Sequence, residues 1–323
     1  MKSALITGVT GQDGKHLTKL LLSKNYRVFG LLNGQNNSEA KELKRDHPEV
    51  ILIPGDLTDF SSLIDALHKS QPDEIYNLGA ISFVGMSFEQ PELTANVTGL
   101  GPLRILEAIR RLGIDSKFYQ ASSSEMFGKV RTTPQNELTP FYPRSPYGVA
   151  KVFAHNITIN YREAYGIRAS CGILFNHEGE NRGYEFVTRK ITSSIAKIKL
   201  GKIKKFSLGN LEARRDWGYA GDYVEAMWLM MQQENMEDFV IATGIAHSVR
   251  DFVLKALECA DLPTDIERFV EFDKQLLRPS EVDLLIGDAN KAFGKLGWRP
   301  KTDFDQLVSL MVENDLRIER ETI

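Results

Sequence analysis

The stretch Ala4-Leu5-Ile6-Thr7-Gly8-Val9-Thr10-Gly11-Gln12-Asp13-Gly14-Lys15 decides how the chain is read. Three apolar residues run straight into glycines at 8, 11 and 14. An amphipathic stretch follows, with Leu17, Leu20, Leu21 and Leu22 apolar and Lys15, Lys19 and Lys24 polar. Strand, glycine turn and helix form the first part of a βαβ unit. Gly8 permits the tight turn, Gly11 lets the backbone approach a pyrophosphate, and Gly14 permits close helix packing. The helix N-terminus adds N–H donors and a favourable dipole for that phosphate. A glycine-rich structural turn is the bland alternative.

Outward from this unit, strands and helices alternate. Tyr26–Leu32 is the second strand, whose end should meet an adenosine ribose. An Asp there would favour NAD and an Arg nearby NADP; Asn33-Gly34-Gln35-Asn36-Asn37 is neither. Lys41, Lys44 and Arg45 either reach a 2′-phosphate or line a solvated helix face. Val50–Leu57 is a third strand ending at Asp56, which can accept from an adenine amino group or cap a helix; Asp59 suits the cap better. Asp73–Ala80 is a fourth strand with small residues at its end. A helix from about Gly101 to Arg111 leads to a fifth strand from Lys117 into Ser122. The pattern predicts an α/β fold of Rossmann type, a doubly wound parallel sheet with helices on both faces and ligands at the carboxyl ends of the strands.

Ser123 and Glu125 stand at the end of the fifth strand, and Tyr147 and Lys151 share one face of the helix after a proline-rich turn. The two stretches should converge beside a nicotinamide. A fixed ammonium favours a phenolate, so Tyr147 is expected to act as a base well below the free phenol pKa of ~10. Ser, Tyr and Lys alone move a hydride to or from an alcohol. The extra carboxylate of Glu125 adds an acid/base group of the kind an elimination needs.

The bulk numbers are those of an ordinary globular protein: 323 residues, 42% hydrophobic, 26% charged, formal net charge −3. They offer no basic footprint for nucleic acid and no apolar run of membrane-spanning length. The two cysteines, Cys171 and Cys259, allow no metal-type spacing, so no metal is expected, and they read as free thiols of a reducing, cytoplasmic compartment.

Longer blocks then match a family. Ala121-Ser122-Ser123-Ser124-Glu125-Met126-Phe127-Gly128, Pro140–Gly148, Gly172-Ile173-Leu174-Phe175-Asn176-His177-Glu178, Phe186–Lys190, Arg215-Asp216-Trp217-Gly218 and Arg278-Pro279-Ser280-Glu281-Val282-Asp283 resemble the GDP-mannose 4,6-dehydratases, within the extended short-chain dehydrogenase/reductases. The resemblance covers nearly the whole chain. It implies a 1–175 NAD(P)-binding domain that also receives roughly 214–244, and a 176–323 stretch forming mainly a smaller, interleaved C-terminal substrate lobe. It implies Ser123, Glu125, Tyr147 and Lys151 as the catalytic set. For the cofactor it implies Gly8, Thr10, Gly11, Gln12, Asp13, Gly14, Asn33, Asp56, Leu57, Leu78, Ala80 and Ser82, with Tyr147, Lys151 and His177. For the substrate it implies Ser82, Asn176, Val187, Lys190, Arg215, Arg278 and Glu281. The implied reaction is dehydration of GDP-mannose with internal NAD(P) recycling. Other nucleotide-sugar dehydratases, epimerases or reductases, and a non-catalytic dinucleotide sensor, are the alternatives. Three positions depart from the family pattern. The family's arginine pair after the second strand is Asn33-Gly34, its Gln after the fourth is Ile81, and its catalytic Thr is Ser123. The arginine segment helps hold the NADP 2′-phosphate and a neighbouring subunit in the family. The cofactor expectation is therefore NADP by resemblance or NAD, and the assembly a homodimer rather than a tetramer.

Overall fold

The computed structural model describes residues 1–34, 38–277, 280, 282 and 284–321. In chain order the strands are β1 (Ser3–Thr7), β2 (Arg27–Leu32), β3 (Ile51–Pro54), β4 (Glu74–Asn77), β5 (Lys117–Ser123), β6 (Ala169–Leu174), β7 (Asn176–Glu178), β8 (Phe206–Leu208), β9 (Arg214–Tyr219), β10 (Phe239–Ile241), β11 (Ala246–Ser248), β12 (Val270–Phe272) and β13 (Leu284–Leu285). Among the described residues, β10-β6-β5-β4-β1-β2-β3 form one sheet with every neighbouring pair parallel. Because β2 and β3 lie to one side of β1 and β4, β5 and β6 to the other, the strand order reverses between β1 and β4. A crevice opens outside the carboxyl ends at such a switch point.

Buried residues of the strands alternate between two cores. Ala4 and Ile6 of β1 pack with Leu17, Leu21, Met227 and Met230, under the Gln12–Ser23 and Ala220–Gln232 helices. Leu5 faces the other way, with Leu63, Leu67, Ile105 and Ile109 of the Phe60–Ser70 and Leu100–Leu112 helices. This is the two-faced burial that parallel sheets require. The helices start where the side chains allow: Asp59 accepts from the Ser61 N–H at 2.9 Å, and Ser248 and Asp251 cap each other's backbone.

A third core belongs to the second lobe, where Ile191, Ile195, Leu257 and Met311 join the Val187–Lys199, Val249–Cys259 and Phe304–Glu321 helices. A small sheet is built on β9, with β11 antiparallel and β13 parallel to its first half and β7 parallel to its second. The return to the main layer, expected from residue 214, begins at the Ala220–Gln232 helix, because β9 pairs within the small sheet. Trp217 and Met227 are core residues. Among the described residues, no helix is long and apolar enough to cross a membrane.

Candidate active site

At the β1 end of the switch point the backbone leaves no room for side chains. Gly8 has φ +68°, and a Cβ there would stand 2.9 Å from the Gly79 nitrogen; one on Gly14 would stand 2.3 Å from the Gly8 oxygen. Gly11 is the N-cap of the Gln12–Ser23 helix, and no side chain caps that helix. Its first-turn N–H groups therefore keep their capacity for an anion, which is how this turn fits a dinucleotide diphosphate. Thr10 lies in the turn, and the Gln12 amide donates to the His177 carbonyl at 3.1 Å. Asn33 and Gly34 are exposed just past β2. Asp56 uses one carboxylate oxygen to accept from the Thr58 N–H and Oγ1, both at 2.7 Å. Leu57 is buried; Leu78 and Ala80 are half-buried after β4, and Ser82 is exposed. Ile81 donates its N–H to Thr98 Oγ1 at 3.0 Å.

Ser123 ends β5 and its Oγ accepts from the Glu125 N–H at 3.2 Å, opening the short turn Ser124–Met126. The Pro146–Tyr165 helix starts opposite. Ser145 accepts from the Gly148 N–H at 3.0 Å and Pro146 takes a first-turn position, so Tyr147 is fixed in the first turn. The Glu125 carbonyl lies 2.8 Å from where a Cβ on Gly148 would stand, so the helix can approach this closely only at a glycine. Ser123 is close enough to the Tyr147 phenol to act on its ionisation, and the Glu125 charge acts on the same phenol. The two stretches separated in sequence do meet.

The phenol does not behave as the Tyr–Lys spacing suggests. Burial pushes Tyr147 up to about 12; Ser123 opposes the rise and the Glu125 charge adds to it. The Lys151 ammonium lies 5.6 Å from the Tyr147 ring centroid and donates to the Ala121 carbonyl at 2.6 Å. Burial pulls Lys151 itself down to about 8, with Asp13 acting in the other direction. Desolvation of both groups outweighs the attraction the spacing implied.

His177 follows β6 and stacks on Tyr223 with ring centroids 4.7 Å apart. Its Nδ1 lies 2.7 Å from the Phe175 carbonyl and its Nε2 2.7 Å from Asp13 Oδ2. Both neighbours accept, so the contacts favour hydrogen on both ring nitrogens, the charged form of the ring. Burial works against that charge, but the Asp13 charge and hydrogen bond outweigh it and raise the His177 pKa. In the same pair, burial would raise the Asp13 carboxyl, and His177 instead holds it at about 2. His177 is thus joined to the first turn of the glycine-loop helix, a contact no spacing in the sequence signals. Asn176 lies beside it at the start of β7.

The basic residues of the second lobe divide sharply. Arg189 is 4% exposed and pairs with buried Asp315 at 2.7 Å. Arg182 pairs with Glu178 at 2.8 Å and lies over the Phe186 ring, while Arg214 donates to the Ala246 carbonyl at 2.9 Å. These three are occupied by the fold. Buried Arg215 donates to the Arg214 carbonyl at 2.9 Å. Lys190 is half-buried in the first turns of the Val187–Lys199 helix, and Val187, which starts that helix, is 38% exposed. Among the described residues the Lys190 ammonium makes no ion pair. Arg278 and Glu281 lie outside the described residues. One group went unnoticed in the sequence: Asp216, fully buried, accepts from the Thr243 N–H and Oγ1 and from the Gly244 and Gly287 N–H groups. No pattern in Arg214–Tyr219 singles it out, since two arginines precede it in the same strand. Among the described residues no cluster of His, Cys, Asp and Glu is placed to hold a metal.

A doubly wound parallel sheet, a glycine turn at its switch point, and a Ser–Tyr–Lys set with an added carboxylate define a nucleotide-sugar-modifying short-chain dehydrogenase/reductase of the extended kind. The family model described as GDP-mannose 4,6 dehydratase matches residues 5–311. GDP-mannose 4,6 dehydratase 1 of Arabidopsis thaliana is 50% identical, covering 98% of this chain and 90% of its own; the Homo sapiens GDP-mannose 4,6 dehydratase is 49% identical, covering 98% and 92%. Among solved structures, a UDP-glucose 4-epimerase of Thermus thermophilus in complex with NAD superposes with a TM-score of 0.86, covering 97% of this chain and 98% of its own at 24% identity, a likeness of fold. The chain belongs to the GDP-mannose 4,6-dehydratase family.

Proposed function

We propose that this chain converts GDP-mannose to GDP-4-keto-6-deoxymannose and water, as a hydro-lyase that recycles its own nicotinamide dinucleotide. The observation that carries this is the convergence of Ser123, Tyr147 and the Glu125 charge at one point beside the switch-point crevice. A nicotinamide dinucleotide held by the Gly8–Gly14 turn would supply reversible hydride transfer, first from C4 of the sugar and then to C6. The chain's residues manage the protons. Tyr147 Oη takes the proton from the sugar O4 as a phenolate; burial alone holds the phenol protonated, and the Lys151 ammonium together with the positive charge of an oxidised nicotinamide would offset that burial. Ser123 Oγ donates to O4 and steadies its developing charge. The resulting ketone acidifies C5–H, and the Glu125 carboxylate takes that proton and delivers one to the departing C6 hydroxyl. Hydride addition at C6 leaves an enolate, and the proton that Tyr147 took from O4 is delivered to C5, so electrons and atoms balance with loss of one water and no net change in the dinucleotide.

The cofactor groups proposed are the Gly8–Gly14 turn, Asn33, Asp56, Leu57, Leu78, Ala80, Ser82 and His177, with Tyr147 and Lys151. The substrate groups are Ser82, Asn176, Val187, Lys190 and Arg215, joined by Arg278 and Glu281. The assembly proposed is a homodimer. Its support is the exposed apolar side chains of Val149, Phe153 and Leu100 on the Pro146–Tyr165 and Leu100–Leu112 helices. The unpaired thiols of Cys171 and Cys259 suit a reducing cytoplasm. Incubation with GDP-mannose and mass analysis of the product tests the reaction. Loss of one water from the nucleotide-sugar is expected; net consumption of reduced dinucleotide, or an isomer of unchanged mass, overturns it.

A further inference from the structure

We infer that the dinucleotide site selects NAD over its 2′-phosphorylated form, with Asn33 as the residue that reads the adenosine ribose. The inference rests on the reading of the Gly8–Gly14 turn as a dinucleotide site.

β2 pairs with β1 in a register that sets Leu31 opposite Thr7, so the chain just past β2 emerges beside the glycine turn. In a sheet of this topology that position faces the ribose. Asn33 and Gly34 stand there, both exposed, and Gly34 has no side chain to offer. An Asn amide is neutral and carries both an acceptor oxygen and a donor NH₂. That pair matches the vicinal diol of an unphosphorylated ribose, accepting from one hydroxyl and donating to the other. A 2′-phosphate brings roughly −1.5 to −2 charges and asks for fixed cations, guanidinium above all.

Most of the basic side chains around this end of the sheet are engaged elsewhere; Lys41, exposed on the Ser38–Asp46 helix, is the exception. Lys15 bonds Glu42 Oε2 at 2.7 Å. Arg45 pairs with Asp46 at 2.9 Å and with Glu42 at 3.8 Å. Lys44 donates to the Pro48 carbonyl and, at 2.7 Å, to that of Val50. On the adenine side, Arg104 donates to the Leu57 and Asn96 carbonyls at 3.1 and 3.0 Å and to Asn96 Oδ1 at 2.6 Å. To recruit Lys15, Lys44, Arg45 or Arg104 a 2′-phosphate would have to break one of these attachments, and the Glu42 carboxylate that serves both Lys15 and Arg45 repels it; Lys41 alone, a single flexible ammonium, is a weaker match than the fixed guanidinium such a group asks for. A ribose diol breaks none.

Calorimetric titration of the full chain with NAD⁺ and NADP⁺ separately, in wild type and Asn33→Arg, tests this. Wild type is expected to bind NAD⁺ at least about tenfold more tightly, the scale of one charge-assisted hydrogen bond unmatched. Asn33→Arg, an exposed substitution, should move the ratio by about tenfold or more toward NADP⁺. Equal or tighter binding of NADP⁺ by wild type overturns the inference while leaving the dinucleotide site intact. Binding of neither overturns the dinucleotide reading itself.

Discussion

Between Gly8 and Lys151 the groups at the candidate site are set by backbone: strand ends, one glycine turn, and the first two turns of one helix. Between Asn176 and Arg215 they are set by side chains whose partners come from far along the chain. Asp13 and His177 are 164 positions apart, and Thr192 and Asp315, joined at 2.6 Å, are 123 apart. The first region is a frame that would look the same with many side chains exchanged. The second is a network in which one carboxylate decides whether a neighbouring arginine is available to a ligand. Arg189 and Lys190 are adjacent in sequence, yet one is tied to Asp315 and the other makes no ion pair among the described residues.

The largest effect expected from disturbing the frame is chemical. Tyr147→Phe should lower kcat by about 10²–10⁴ while leaving dinucleotide affinity near wild type, because it removes a proton acceptor and little else. Steady-state kinetics with GDP-mannose checks this, and a variant that kept most of its kcat would remove Tyr147 from the mechanism. Glu125→Gln should reduce water elimination by a comparable factor but leave the first hydride step, so reduced nicotinamide should accumulate optically where wild type shows none.

The network should fail in stability before it fails in chemistry. Arg189→Met leaves Asp315 buried without its partner, and the expected loss is about 3–5 kcal/mol in a denaturant titration. Burial already raises the Asp315 carboxyl despite Thr192 and Arg189, so part of that loss will appear as proton uptake. Lys190→Ala should leave folding and kcat unchanged and raise KM about tenfold, the signature of a contact made equally in ground and transition states. An unchanged KM would return Lys190 to the solvated surface.

The smallest effect tests the bridge between the regions. His177 has a raised pKa in the fold, so its contribution to stability is full below the unfolded His value of ~6.5 and is lost as pH rises through the folded value. Asp13, held at about 2, contributes above the ordinary carboxyl value and loses that contribution as pH falls through about 2. The Tm advantage of wild type over His177→Asn should therefore be greatest in mildly acidic solution and shrink on both sides. A difference independent of pH would show that the pair is not charged.

The same contrast explains what could be read in the chain beforehand. The alternation of elements, the glycine turn and the choice of Asp59 over Asp56 as the cap were legible because each depends on residues close in sequence. The meeting of Ser123 with Tyr147 followed from the rule that ligands sit at the carboxyl ends of such strands. For Tyr147, spacing shows the ammonium but not the depth of burial that acts against it. Nothing in the sequence shows that Arg182 is held by Glu178 or Arg189 by Asp315. Asp216 passed unnoticed because its four donors come from the segments after β10 and β13.

The placement of β10 carries a consequence for how the molecule is made. It completes the main sheet beside β6, yet it is synthesised some 65 residues later, after the small sheet has been started. Until residue 241 leaves the ribosome, β6, with all six residues destined for burial, is an open edge with unpaired backbone groups. Asp238, which precedes β10, then closes that edge by accepting from the Cys171 N–H and from Arg162. A nascent chain stalled between these points displays an aggregation-prone strand, so this protein's dependence on chaperones should concentrate in that interval of translation.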